Sequence, residues 1–482
     1  MYFNVKNLLL ETEEWKKENV SVYKKLYNSF KDLIINEFIP NKTKLPPTRV
    51  LAKDLSLSRS TIIKAFDMLS FEKLIIAKKG CGYFVNYINS EKIEEETDKS
   101  YVYPKISKRA KLFKKHTYVN TDNFSKKNVA FRPGLPPLDI FPIDKWKQIS
   151  NEYWREATPT NLSYAPSEGL ESLRLNIMNY LRIYRNLDCN HNQIIITSGS
   201  LHSLYLIGNS LVNKGNQVVM ENPTFPRAYN LFKSIKANVI PCNVDNEGIK
   251  IDDLNEEINP KLIYTTPSNQ YPLGVKMSKD RRLELLNYAS KKHSLIIEDD
   301  YDHEFSNWEH PIQSLFRLDK EKRVIYIGTF NKLLHPSLRI GYMIVPKYLI
   351  NPIKSIYEQS SRFVPVHAQE ILNKFIQKDY LNKHIRNVIE TSTLRRNRFI
   401  NQTKNILQID SHYDGLHIIG KLKSEICDKK AHQDLLKNNV VAYPLSNYYI
   451  TKKKEEGLVL GFSSVNEKVM KEKTDLMNQI LT

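Results

Sequence analysis

The sequence predicts two folded units of different class: an N-terminal, mostly helical unit with a β-hairpin, then an α/β domain with a largely parallel sheet and a smaller C-terminal α+β domain. Three observations carry this. Apolar residues recur at helical spacing from Val22 to Leu69, then form two short strand-like runs around a glycine-bearing turn. Beyond residue 193, strand-like runs alternate with helical patterns, the order of βαβ units. The 482 residues, 41% of them hydrophobic, suffice for two or three domains and at least one sizeable core.

The first helix is expected over Val22–Asn36, with Val22, Leu26, Phe30, Leu33 and Ile34 on one face and Pro40 as its stop. In Lys44-Leu-Pro-Pro-Thr-Arg49 two prolines enforce an extended turn, and Thr48 is placed to cap a second helix carrying Val50, Leu51 and Leu55. A three-residue turn, Ser56-Leu57-Ser58, leads into a third helix that Ser58 can cap. Its Ile62, Phe66 and Leu69 face inward, while Arg59, Ser60, Thr61 and Lys64 point outward near its start. That is a helix-turn-helix, whose second helix enters the DNA major groove by its N-terminal end. Leu74–Ala77 and Tyr83–Val85 flank Lys78-Lys-Gly-Cys-Gly82, a hairpin wing with a basic tip. Between Ser21 and Asn86 there are 12 Lys/Arg against 5 Asp/Glu, and the chain carries +19 overall, which suits a polyanionic partner. Arginine's planar fork fits guanine, whereas Lys64 and Lys78 suit phosphates.

This pattern, Lys-Leu-Pro-Pro-Thr-Arg, Leu-Ala-Lys-Asp-Leu, Ser-Arg-Ser-Thr and Lys-Gly-Cys-Gly-Tyr-Phe-Val, closely resembles the winged-helix domain of GntR-type bacterial transcription regulators. The resemblance implies that Arg49, Arg59, Ser60 and Thr61, with Ser58 at the helix start, contact a double-stranded DNA operator. It lays the Lys79/Gly80 wing tip along the backbone or minor groove. Residues 1–86 are thus expected to form the DNA-binding domain with an N-terminal arm.

From 87 to 130 the periodicity fades, as expected of a flexible linker. Glu91–Asp98 is acidic, and Lys99–Lys127 then holds 9 basic residues against only Asp122. That basic half either touches DNA nonspecifically or is a solvated tether.

After Phe131-Arg-Pro-Gly134 come strand-like runs at Gln193–Thr197, Gln217–Met220, Ala237–Cys242, Leu262–Thr265, Leu295–Glu298, Val324–Ile327 and Tyr342–Val345. Helical patterns such as His202–Val212 and Arg281–Lys292 separate several of them. Ligands of such sheets bind beyond the strand carboxyl ends, where the chemical residues lie. Thr197-Ser-Gly-Ser-Leu-His202 opens a helix, so its N–H groups and the Ser200 hydroxyl can receive a phosphate. Phe225 can cover a planar ligand, with Arg227 two residues on. Thr266–Gly274 is a proline-bearing loop. Ile297–Phe305 puts five carboxylates, Asp299 among them, within seven residues, which invites a metal reading that the motif order disfavours. In Tyr326–Tyr342, Thr329 and Arg339 can hold a phosphate while Lys332 reaches an aldehyde. A single lysine after a strand is as readily a solvated surface group, so its meaning depends on the rest.

Phosphate loop, aromatic residue, Pro/Gly loop, Asp, then Lys is the order of fold-type I pyridoxal-phosphate enzymes. Glu-Asp-Asp-Tyr-Asp-His-Glu-Phe and Gly-Thr-Phe-Asn-Lys with Pro-Ser-Leu-Arg resemble the aspartate-aminotransferase-like half of MocR-type regulators, which fuse it to a GntR winged helix. That half is expected over 131–482, with its small domain from about residue 375. The resemblance implies that Lys332 forms the Schiff base with pyridoxal 5'-phosphate, Asp299 pairs with the pyridine nitrogen, Tyr301 donates to the ring oxygen and Phe225 stacks on the ring. Ser200, Leu201, Thr329 and Arg339 hold the phosphate, and Arg227 meets an effector's carboxylate. Asn269, Gln270 and Tyr271 are alternatives for the Pro/Gly-loop contact, with Asn269 set among the cofactor residues.

Two departures stand out. Asn331 replaces the usual Ser before the lysine, and no Arg follows Arg398, so Asn447 stands where a carboxylate-clamping Arg is expected. A neutral amide cannot make that bidentate grip. Two functions remain. One is a regulator whose DNA affinity responds to pyridoxal phosphate or to an amine or amino compound that displaces the lysine. The other is a working class I/II aminotransferase with an accessory DNA-binding domain. The missing Arg favours the first, with residual turnover at most and a head-to-tail homodimer as the expected assembly. Four scattered cysteines without a CxxC pair indicate neither zinc nor disulfides, and no metal site is expected. The chain has no membrane-length apolar run and no signal-peptide order at its start, so a cytoplasmic protein is expected.

Overall fold

The computed structural model describes residues 5–16, 20–36, 38–78, 80–86, 104–117, 130–305, 313–410, 415–451 and 455–482. The chain divides into two compact units, 1–105 and 106–482.

In the first unit, α1 (Lys6–Glu11) and α2 (Glu13–Lys16) precede α3 (Val22–Ile35), α4 (Thr48–Asp54) and α5 (Arg59–Phe71), and β1 (Ile75–Lys78) pairs antiparallel with β2 (Gly82–Val85). The core forms where the periodicity places it: Leu26, Phe30, Leu33 and Ile34 of α3 are buried against Ile62, Phe66 and Leu69 of α5. Phe66 meets Phe30 and Tyr83 edge-on, at centroid separations of 5.5 and 5.0 Å. Each such pair adds about 0.5–1.5 kcal/mol beyond area burial. Val5 and Leu9 of the N-terminal arm complete this core.

Two local expectations fail. Thr48 is the first residue of α4 rather than its cap; Pro47 takes the cap position and supplies no side-chain oxygen. Val22 and Val50 are exposed, because each lies at the start of its helix, off the buried stripe.

The second unit contains α6 (Lys108–Lys115), α7 (Ile143–Glu156), α8 (Glu171–Arg185), α9 (Ser200–Leu211), α10 (Pro226–Ser234), α11 (Lys279–Lys291), α12 (Leu315–Leu318), α13 (Ile350–Glu358), α14 (Val366–Gln377), α15 (Tyr380–Thr403), α16 (Asp428–Lys437) and α17 (Glu467–Leu481). Its large sheet is built from β3 (Ile194–Thr197), β4 (Gln217–Asn222), β5 (Asn238–Asp245), β6 (Gly248–Ile249), β7 (Leu262–Thr265), β8 (Leu295–Asp299), β9 (Val324–Thr329) and β10 (Gly341–Ile344), in the order β3-β10-β9-β8-β7-β4-β5-β6. The five strands from β9 to β5 are parallel; β10 and β6 run against their neighbours. Strands β7, β8 and β9 are buried almost throughout, as both faces are covered by helices.

Residues 407–460 add a four-stranded antiparallel sheet, β11 (Leu407–Gln408), β12 (Ile418–Leu422), β13 (Tyr443–Pro444) and β14 (Leu458–Leu460), in the order β11-β12-β14-β13. Its core includes Phe131, whose carbonyl accepts from Gly461 N–H at 2.7 Å, so the stretch that opens this half is tied to its far end. Helix α6 falls within the stretch expected to be a linker, and Phe113 packs against the core shared by α9 and α10.

Candidate functional site

The parallel strands end their carboxyl termini at a cavity of about 400 Å³. Lys332, Asp299, Tyr301, Phe225, Ser200, Leu201, Thr329, Arg339 and Arg227 all line it, so nearly every residue singled out in this half converges on one space.

Lys332 follows β9, and its Nζ donates to the Gly134 carbonyl at 2.8 Å. Burial lowers its pKa, and Asp302 and Asp299 oppose that effect. Asp299 ends β8; its Oδ2 accepts from the Tyr264 hydroxyl at 2.9 Å and its Oδ1 is buried without a hydrogen-bond partner. Burial pushes Asp299 up to about 7 even though Tyr264, Lys332 and the nearby Ser200 hydroxyl favour its charged form. A carboxylate left half-satisfied in a buried site calls for a further proton or donor.

Gly199 precedes helix α9 at its N-cap with a φ of +109° that glycine adopts readily, and Arg339 and Asn331 lie against it. The N–H groups of Ser200 and Leu201 therefore open the helix toward the cavity without intrahelical acceptors. Arg339 is held below its ordinary value by burial and by repulsion from Arg227. Both arginines line the cavity, which thus presents two cations to an anion. Thr329 Oγ1 accepts from Asn331 N–H at 3.2 Å, and Asn331 Oδ1 is buried without a partner.

Of the three alternatives in the Pro/Gly loop, Tyr271 lines the cavity, and Asn269 and Gln270 are buried behind it. Asn269 is buried with its Nδ2 on Asp302 Oδ2 at 2.6 Å, and its carbonyl accepts from Tyr301 OH at 2.9 Å. Gln270 donates to Glu221 Oε2 at 3.1 Å and to Pro223 O at 2.8 Å, tying this loop to β4. Asn447 is exposed and off the cavity, whereas Tyr443 and Tyr448 line it. The sequence reading also passed over Arg132, Gly134 and Tyr264. The first two were visible only as the start of a domain, and Tyr264 as one more strand residue. A Cβ at Gly134 would collide with the Lys332 amine.

The carboxylates that invited a metal reading each have another partner. Glu298 accepts from Leu315 N–H at 2.9 Å and meets Arg282 at 3.4 Å; Asp300 pairs with Arg185 at 2.7 Å; Glu304 accepts from Tyr180 OH. No arrangement among the described residues groups three His, Cys, Asp or Glu side chains around a metal position.

In the first unit, Ser58 Oγ caps α5 by accepting from Thr61 N–H at 3.1 Å, and lies 2.8 Å from Ser60 Oγ. Arg49, Arg59 and Ser60 are exposed on one end of the motif, with Thr61 half-buried beside them. Arg59 Nε donates to Thr48 Oγ1 at 3.4 Å, joining α4 to α5. Lys64 covers the Tyr23 ring at 4.0 Å and Lys78 the Phe84 ring at 5.0 Å. Gly80 has φ +76° in the wing turn, while Lys79 lies outside the described residues.

A winged helix-turn-helix and an aminotransferase fold with its lysine cavity intact define a DNA-binding regulator with an enzyme-derived domain. Residues 22–85 match the gntR family of bacterial regulatory proteins, and 133–459 match the aminotransferase class I and II family. The chain is 32% identical over 459 residues to the HTH-type transcriptional regulator YhdI of Bacillus subtilis, covering 94% of each chain. It is 29% identical to the probable rhizopine catabolism regulatory protein MocR of Rhizobium meliloti, covering 94% of this chain and 92% of that one. The crystal structure of Pyrococcus horikoshii kynurenine aminotransferase superposes with a TM-score of 0.67 at 26% identity, over 81% of this chain and all of that one. The chain belongs to the MocR-type subfamily of GntR transcription regulators. Among the described residues no helix is long and apolar enough to cross a membrane.

Proposed function

We propose that this regulator holds pyridoxal phosphate in the Lys332 cavity and that occupancy of the cavity, by the cofactor or by an amine condensed with it, sets its affinity for operator DNA. The observation that carries the reading is the juxtaposition of a buried, depressed lysine with a half-satisfied Asp299 in a cavity that Arg227 and Arg339 also line. When bound, the cofactor supplies an aldehyde that captures amines and a ring that withdraws electrons. Lys332 holds the aldehyde, Asp299, positioned by the Tyr264 hydroxyl, keeps a proton on the ring nitrogen, and Tyr301 donates to the ring oxygen. Ser200, Leu201, Thr329 and Arg339 receive the phosphate. Arg227 is left for an effector carboxylate, and Phe225 covers the ring. Regulation requires that the ligand favour one arrangement of the protein over another, by differential binding. A cytoplasmic homodimer is part of the same reading.

Wild type mixed with excess pyridoxal phosphate is expected to gain a visible absorbance band, and borohydride reduction to fix the cofactor's mass on Lys332. Lys332→Ala loses both. A colourless, unmodified wild type sinks the proposal. The competing aminotransferase reading predicts rapid multi-turnover amino transfer to a keto acid; the absence of any Arg after Arg398 favours single-turnover chemistry at most.

On the DNA side, Arg59 is assigned to base reading. Arg59→Ala should weaken binding to a duplex selected by the protein from random DNA by about 10–100-fold, one bidentate contact, while scarcely changing an unrelated duplex. Equal loss on both duplexes, read by fluorescence anisotropy, would move Arg59 to the phosphate-contacting set.

A further inference from the structure

Helix α6 carries Lys108, Arg109, Lys111, Lys114 and Lys115 and no acidic residue. Ser107 caps it, its Oγ accepting Ala110 N–H at 3.1 Å. At 100° per residue, Leu112, Phe113 and His116 share one face, and these three are half-buried. Phe113 packs into the core beneath α10. Lys111, Lys114 and Lys115 point away from that face and Lys108 lies at its border, all exposed.

This helix is electrostatically unfavourable by itself. Lys111 lies three or four residues from each of Lys108, Lys114 and Lys115, a spacing at which like charges destabilise a helix. Lys108 and Arg109 put cations at the end where the helix dipole favours anions. Eight residues are too few to hold a helix in water without help, so the docked Phe113 face holds these charges in place. Burial, then Lys115 and Lys233 of α10, lower the pKa of His116, so α10 adds a further cation near this face. A solvated tether has no need of an apolar anchor. A polyanion would relieve all of these repulsions together.

We propose that α6 is a second DNA-contact element, mounted on the aminotransferase-like unit, that grips phosphates without reading sequence. Its support, α10, opens at Pro226 and Arg227 in the Lys332 cavity, so the grip stands one helix away from the effector site. The proposal rests on the chain's family and on α6, and not on cofactor binding.

The test uses the full chain without added pyridoxal phosphate, with a duplex the protein selects from random DNA and an unrelated duplex of equal length. Wild type is compared with the combined Lys108→Gln, Lys111→Gln, Lys114→Gln and Lys115→Gln variant, which should unfold cooperatively and be at least as stable as wild type, since the repulsions are removed. The slope of log affinity against log salt is expected to become shallower by about 3–4, and both duplexes to weaken by a similar factor, on the order of 100-fold. An unchanged slope overturns the proposal and leaves an acidic protein as the partner to seek. Weakening confined to the selected duplex also overturns it, since a phosphate grip is blind to sequence.

Discussion

Arg185→Ala is expected to destabilise the aminotransferase-like unit by about 3–5 kcal/mol, the cost of stranding a buried carboxylate. Arg185 closes α8, and its Nε meets Asp300 Oδ2 at 2.7 Å, with the Asp300 side chain fully buried and that of Arg185 nearly so. Burial alone would raise Asp300, yet Arg185, then His303, Ser268 and Tyr326, hold it well below the usual carboxylate range. Tyr326 OH donates to the same Oδ2 at 2.6 Å, and Arg185 Nη2 donates to Ser268 Oγ, so the Arg185–Asp300 pair ties together the end of β8, β9 and the loop after β7. Removing it leaves Asp300 ionised among Glu298 and Glu304 in a low-dielectric interior. Urea midpoints followed by near-UV circular dichroism measure the loss. Arg185→Ala combined with Asp300→Asn should recover part of it, because the stranded charge is gone. An unchanged midpoint in the single variant would mean that water reaches Asp300 and the pair contributes little.

The same segment shows what a sequence can and cannot carry. Every large-sheet strand longer than two residues was visible as an apolar run, with Leu262–Thr265 correct to the residue, because doubly covered strands must be continuously apolar. The two-residue β6 was invisible, being shorter than any periodicity. Antiparallel β10 was counted as a strand without its direction, since an apolar run does not record which way its neighbours point. In the site, residues at strand ends converge on the cavity because sheet topology brings those ends together. Partnerships across the fold were not legible: Asp300 with Arg185, Glu298 with Arg282 and Asp302 with Asn269 join residues far apart in the chain. Without those partners, carboxylates packed into Glu298–Glu304 resemble ligands; with them, they are the posts on which Asp299 and Tyr301 stand. The surroundings of Gln270 were not legible for the same reason, since its hydrogen bond to Glu221 depends on two strands lying side by side.

Asp299→Asn is expected to stabilise the cofactor-free protein above pH 7 by up to about 4 kcal/mol while weakening its retention of pyridoxal phosphate. Burial raises the Asp299 carboxyl from an ordinary value near 3.8 to about 7. An acid whose folded pKa is raised binds its proton more tightly folded than unfolded, so its contribution is most favourable below pH 4. That contribution is lost as pH climbs to 7, and a shift of about 3 units corresponds to about 4 kcal/mol. Asparagine keeps an oxygen to accept from Tyr264 and never ionises, so the stability of wild type relative to Asp299→Asn should fall across pH 4–7 and level off above it. Urea titrations at pH 4.5, 6 and 8 give that difference directly, and a difference independent of pH would place the Asp299 carboxyl near its ordinary value. With cofactor present the sign reverses, because an ionised Asp299 can hold a proton on the pyridine nitrogen and an amide cannot. Wild type should therefore gain more stability from pyridoxal phosphate than the variant does, most clearly at pH 8. A cavity built for a charge that costs stability when empty gives the ligand its leverage, since it removes a strain that the empty protein carries.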